Sequence, residues 1–146
     1  MKKTAYTMMA LLVLVGSMAA AQAQTARHAP VRVSIPFQFH VGNATLPAGD
    51  YLIRELNAES NAATLQISNQ AGSANAIVNM IGTMGPAQDV SKLTFRRYGN
   101  HYYFAEVWID GAKDGLQAPK SKAERATQKE LAALKVASET VAVRLR

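Results

Sequence analysis

The chain has no cysteine. That absence removes disulfides, thiolate metal sites, thiol nucleophiles and the modified cysteine of a lipoprotein anchor. Imidazole is scarce as well, with three histidines, His28, His40 and His101. No two of them share the close spacing of a helical or strand metal motif. No serine sits in a G-x-S-x-G elbow, the turn that would expose a nucleophile. There is no internal repeat and no low-complexity tract. Beyond the first two dozen residues, no apolar run approaches the roughly 20 residues of a membrane-spanning helix.

What is present begins with a leader. Met1-Lys2-Lys3 is basic, Ala5–Ala21 is apolar apart from Tyr6, Thr7 and Ser17, and Ala21-Gln22-Ala23 offers small residues where a signal peptidase reads. This is the pattern of a secretory signal peptide, residues 1–23, cleaved after Ala23. A mature chain of about 120 residues is one ordinary domain. Losing Lys2 and Lys3 with the leader lowers the formal charge from +6 to +4. Nucleic-acid binders carry a denser basic stripe, so this modest, scattered excess argues against that class. It suits solubility or a mild attraction to anionic polymer.

Residues 24–30 read as a flexible polar lead-in. From Val31 to Val41 apolar residues alternate without a miss, the period-two signature of a strand. Pro36 cannot donate to a ladder, so this strand lies at an edge or breaks there. Tyr51–Leu56, Ala63–Ser68 and Ala76–Met84 continue the pattern, the last with apolar residues on both faces, as a central strand has. Gly42-Asn43, Leu46–Asp50, Asn57–Asn61 and Asn69–Asn75 read as turns.

The stretch organising the chain is Lys92–Ile109, KLTFRRYGNHYYFAEVWI. Gly99-Asn100 suits a type II′ turn. The resulting register sets Tyr98 against His101, Arg97 against Tyr102, Arg96 against Tyr103, Phe95 against Phe104 and Leu93 against Glu106. Leu93, Phe95, Tyr102 and Phe104 then share a core face, and Arg96, Tyr98, His101 and Tyr103 share the other. Glu106 falls on the apolar side. Either a bulge after Phe104 re-aims the strand, or Glu106 sits at the core rim and pairs with Arg97 or Lys92; the rim is the expectation. Asp110–Pro119 reads as a loop. Ser121-Lys122-Ala123-Glu124 matches a capping box, opening a helix over about 121–136 with a thin apolar stripe. Val141, Val143 and Leu145 mark a short last strand.

Turn signals at about ten-residue spacing predict a mainly β domain over 31–146, an antiparallel sandwich or small barrel of about seven strands with one helix in its C-terminal half.

PFQFHVGNATLPAGDYLIREL, and LTFRRYGNHYYFAEVW followed by PKSKAER, resemble a group of small exported bacterial proteins. That group pairs an F-x-V-G strand with an L-P-A-G-[DE]-Y turn, and a YG hairpin with an S-K-A-E-R helix start. The resemblance spans about residues 35–130. It implies an exported all-β domain with one helix, and it carries no activity and no catalytic residue to transfer.

The functional expectation is a non-catalytic β-domain with a binding or structural role at the cell envelope or outside the cell. Its partner would be an envelope or extracellular protein or polysaccharide, or a second copy meeting the Pro36-bearing strand. No cofactor and no metal is expected. The candidate contact patch is Arg96, Tyr98, His101 and Tyr103, where a cation beside aromatic rings can hold a sugar or an anionic group. The same residues also serve as cross-strand pairs that steady the hairpin. A small envelope-polymer hydrolase would use Glu106, Asp110 and His101 converging in one cleft. A metal site from His40, His101 and Asp50 would form only through folding, and solvated surface histidines are the plainer reading. A carrier of an apolar ligand needs an empty interior.

Overall fold

The structure, a computed structural model, describes residues 29–59 and 61–146. The expected leader and most of the lead-in lie outside the described residues. Among those described, ten strands and one helix are assigned. The strands are β1 (Val31–Ile35), β2 (Phe39–Val41), β3 (Ala44–Leu46), β4 (Gly49–Glu59), β5 (Ala62–Asn69), β6 (Asn75–Met84), β7 (Lys92–Tyr98), β8 (His101–Trp108), β9 (Asp114–Gln117) and β10 (Ser138–Arg144). The helix, α1 (Lys122–Ala133), precedes β10.

The sheet is mostly antiparallel and runs β1-β4-β5-β6-β9-β8, with β7 and then β10 branching from β8, and β2 and β3 on another side of it. The β2–β8 pairing is parallel and joins His40 to Tyr103. Beyond β10, the Arg146 N–H reaches the Arg32 carbonyl of β1 at 3.1 Å, so the two ends of the sheet approach one another.

Three departures raise the strand count above seven. The first alternating run divides, because the chain leaves β1 at Ile35 and rejoins the sheet at Phe39; Pro36, which has no N–H, lies in the gap. Ala44–Leu46, lying between the turn at Gly42-Asn43 and the turn expected from Leu46 onward, pairs back on β2 after Gly42 turns the chain at φ +59°. Part of the Asp110–Pro119 loop is β9, inserted between β6 and β8. Its sequence, DGLQ, is too short and too polar to show a period. The β4 strand also outruns its expected end, through a register shift between Glu55 and Asn57.

The core draws on strands far apart in the sheet order. Val33, Ile35, Tyr51, Ile53, Leu65, Ile67, Val78 and Met80 meet Phe39, Leu93, Phe95 and Phe104. Phe39 packs edge-on to Tyr51 at 5.2 Å and to Phe95 at 5.5 Å, and Phe37 packs edge-on to Phe95 at 5.1 Å. Edge-to-face rings at such distances add about 0.5–1.5 kcal/mol beyond the area they bury. This ring cluster occupies the interior that an apolar ligand would need. Tyr51 also donates its hydroxyl to the Pro47 carbonyl at 2.6 Å, pinning the turn ahead of β4.

Candidate functional site

The central hairpin keeps its expected register at the turn. Tyr98 pairs with His101, Arg97 with Tyr102, Arg96 with Tyr103 and Phe95 with Phe104. Gly99 takes φ +60° while Asn100 does not, which matches a type II′ turn. The register then slips. Thr94 pairs with Glu106 and Leu93 with Val107, leaving Ala105 as a bulge. The bulge corrects the rim expectation for Glu106. One extra residue sends Glu106 and Trp108 to the opposite face from the core and sends Val107 inward. Glu106 pairs with neither Arg97 nor Lys92. Its carboxylate accepts from Thr94 Oγ1 at 3.0 Å and from Trp108 Nε1 at 2.8 Å.

The face opposite the core is covered by α1. Ser121 caps the helix, accepting the Glu124 N–H on its hydroxyl at 3.0 Å. The capping box is only half formed, because the Glu124 side chain turns to the sheet. It is 2 % exposed and receives Arg96 Nε at 2.5 Å, Arg96 Nη2 at 3.0 Å and the Tyr98 hydroxyl at 3.1 Å. Arg96 Nη2 also reaches the Ala118 carbonyl at 3.2 Å. One turn further along α1, the Thr127 hydroxyl meets the Tyr103 hydroxyl at 2.8 Å. Tyr98 and Tyr103 are 3 % and 4 % exposed. Of the four candidate patch residues, Arg96, Tyr98 and Tyr103 therefore hold the helix, and His101 is the exposed one. Burial, reinforced by the nearby Glu124 charge, pushes the Tyr98 hydroxyl up to about 12. Its neutral O–H is the form that can donate to the carboxylate.

Sequence reasoning missed this network because a glutamate at the third helical position has two uses. It can reach back to the cap, or it can reach across to another element. Only the packing of α1 on β7 and β8 selects the second.

The three hydrolase candidates do not converge. His101 opens β8 and Glu106 lies five residues along it, which at about 3.3 Å per residue is on the order of 15 Å. Asp110 lies past the far end of β8, its backbone N–H donating to Ser91 Oγ at 2.9 Å.

Folding does bring two histidines together. His40 on β2 stacks on the Tyr103 ring at 4.7 Å, and its ring centroid is 6.1 Å from that of His101. His40 Nδ1 lies 2.9 Å from Thr45 Oγ1 on β3. Burial, and secondarily the charge of His101, lowers the His40 pKa. Asp50 does not join them. Among the described residues no group of three or more histidines, aspartates or glutamates is placed to hold a metal ion.

The outer face of β4–β6 is different in kind. Ile77 and Ile81 on β6 are 59 % and 50 % exposed, and Leu56 at the β4 register shift is 49 % exposed. A cleft of about 210 Å³ is lined by Asn57 of β4, Ala62, Ala63 and Thr64 of β5, and Asn79 and Met80 of β6. Thr64 Oγ1 donates to Asn79 Oδ1 at 3.0 Å within it. No helix among the described residues is long and apolar enough to cross a membrane.

The chain matches no protein-family model, no curated protein and no solved structure among those compared.

Proposed function

We propose that this protein is a non-catalytic exported β-domain with a binding or structural role at the cell envelope or outside the cell, in line with its resemblance to small exported bacterial proteins. The observation that carries the reading is the commitment of two carboxylates, Glu124 and the hydrolase candidate Glu106, to architecture. Glu124 ties α1 to β7, and Glu106 holds Thr94 and the Trp108 indole. A general acid or base needs a carboxyl free to exchange its proton with a substrate, and these two are bound to fixed donors. The leader pattern supports export, and the exposed isoleucines of β6 and the exposed His101 supply surface for contact.

Two measurements test the reading. Fractionation with N-terminal sequencing is expected to find a product beginning near Gln24 beyond the inner membrane; an unprocessed cytoplasmic product refutes export. Incubation with purified envelope polysaccharide is expected to release no soluble fragments. Fragment release that disappears in Glu106→Gln would establish the hydrolase alternative instead.

A further inference from the structure

We infer that His40 and His101 form a surface site for a first-row divalent transition ion, of the class Cu²⁺, Ni²⁺ or Zn²⁺, bound through two imidazoles and otherwise open to water. Three features converge on it. The first is spacing. Imidazole nitrogens bind such ions at about 2.0–2.1 Å. Adding a ring radius of about 1.2 Å on each side, a bridging ion sets two ring centroids roughly 5–6.5 Å apart, and here they are 6.1 Å apart.

The second feature is the fixed ring. His40 lies flat against Tyr103, 24° from parallel, and its Nδ1 is 2.9 Å from Thr45 Oγ1. Metal at Nε2 requires the proton on Nδ1, and the Thr45 hydroxyl is placed to accept it. A histidine ligand is commonly oriented by such a partner on its other nitrogen. The third feature is the movable ring. His101 is exposed at the start of β8, so staggered rotation of its side chain can aim a nitrogen at the ion without moving backbone. The parallel bridge of His40 to Tyr103 places His101, two residues earlier on β8, on the same face as His40.

The ion class follows from the donors. Imidazole suits copper, nickel and zinc, whereas calcium and magnesium take oxygen ligands. Two protein ligands leave coordination positions for water or for a donor from a bound molecule.

The test is calorimetric titration of the purified protein, stripped with a chelator and dialysed, with Cu²⁺, Ni²⁺ and Zn²⁺ in separate runs. One ion per chain is expected for at least one of the three. His101→Ala and His40→Ala should each weaken binding roughly tenfold or more, and Thr45→Val about tenfold through the lost ring partner. His28→Ala should bind as the parent does. His101→Ala is decisive, because an exposed side chain can be removed without disturbing the fold, and circular dichroism checks this. Electron paramagnetic resonance of the copper form should show coupling to two imidazole nitrogens. No saturable binding of any of the three ions, or binding that survives His101→Ala, overturns the inference.

Discussion

Replacing Glu124 by alanine tests the central physical argument about this fold. The carboxylate is almost fully buried, and three donors converge on it: two from the Arg96 guanidinium and one from the Tyr98 hydroxyl. Removing it leaves Arg96 with the Ala118 carbonyl as its remaining hydrogen bond and leaves the buried Tyr98 hydroxyl without an acceptor. Breaking a buried pair by deleting one partner costs about 3–5 kcal/mol. The Arg96 side chain is 15 % exposed, so water can reach the stranded guanidinium and the lower end, about 3 kcal/mol, applies. For a domain near 120 residues that corresponds to a fall in melting temperature of about 10–15 °C. Glu124→Gln keeps an acceptor for Tyr98 and loses the charge, and should cost about half as much. Chemical denaturation gives the free energies, and hydrogen exchange shows whether α1 detaches before the sheet opens. A Glu124→Ala protein within about 1 kcal/mol of the parent would refute the claim that this carboxylate anchors the helix.

Other outcomes follow from the same structure. A Cβ at Gly115 would stand 2.7 Å from Trp108 Cε3, and one at Gly85 2.9 Å from Trp108 Cη2; Gly115→Ala should therefore destabilise by about 1–3 kcal/mol through overpacking, read as a lower denaturation midpoint and altered tryptophan fluorescence. Tyr98 holds its proton up to about pH 12 when folded but only to about 10 as an ordinary tyrosine. The folded state thus binds more protons across that window, and stability present below pH 10 is lost as the pH rises through 12, by an amount on the order of 2 kcal/mol; denaturation midpoints that do not fall between pH 9 and about 12 would contradict this. Phe95→Ala opens the centre of the ring cluster and should cost about 3–5 kcal/mol, the largest loss of any single ring, whereas Ile77→Thr on the solvent face should stay within about 0.5 kcal/mol.

The period-two runs at Val31–Val41, Tyr51–Leu56, Ala63–Ser68 and Ala76–Met84, the Gly99-Asn100 turn and the Ser121 cap were all legible, because each is a local matter of side-chain alternation or backbone conformation. So was the pairing of the four positions nearest the hairpin turn, which a two-residue loop dictates. The bulge at Ala105 was legible only as the less favoured of two alternatives, because it is settled by what each face must bury: Val107 joins the core, and Glu106 must find Thr94 and Trp108. Strand β9 was illegible for a related reason, since its four residues pair because β6 and β8 present ladders to them. The candidate patch was read correctly as one face of one hairpin, yet its cover was invisible. A strand pattern states which residues share a face but not what lies over it.

By itself the sequence determined a cysteine-free, mainly β domain with one capped helix, and which residues share each face of its central hairpin between the turn and the Phe95–Phe104 pair. Tertiary structure alone decided that Arg96, Tyr98 and Tyr103 lie under α1 on the carboxylate of Glu124 and the hydroxyl of Thr127, and that His40 meets His101. Alternation along a strand and capping at a helix start are contacts between near neighbours in the chain. The ion pair spans 28 residues, and the histidines sit on strands joined in parallel. Such contacts exist only once strands far apart in the chain have paired and packed on one core.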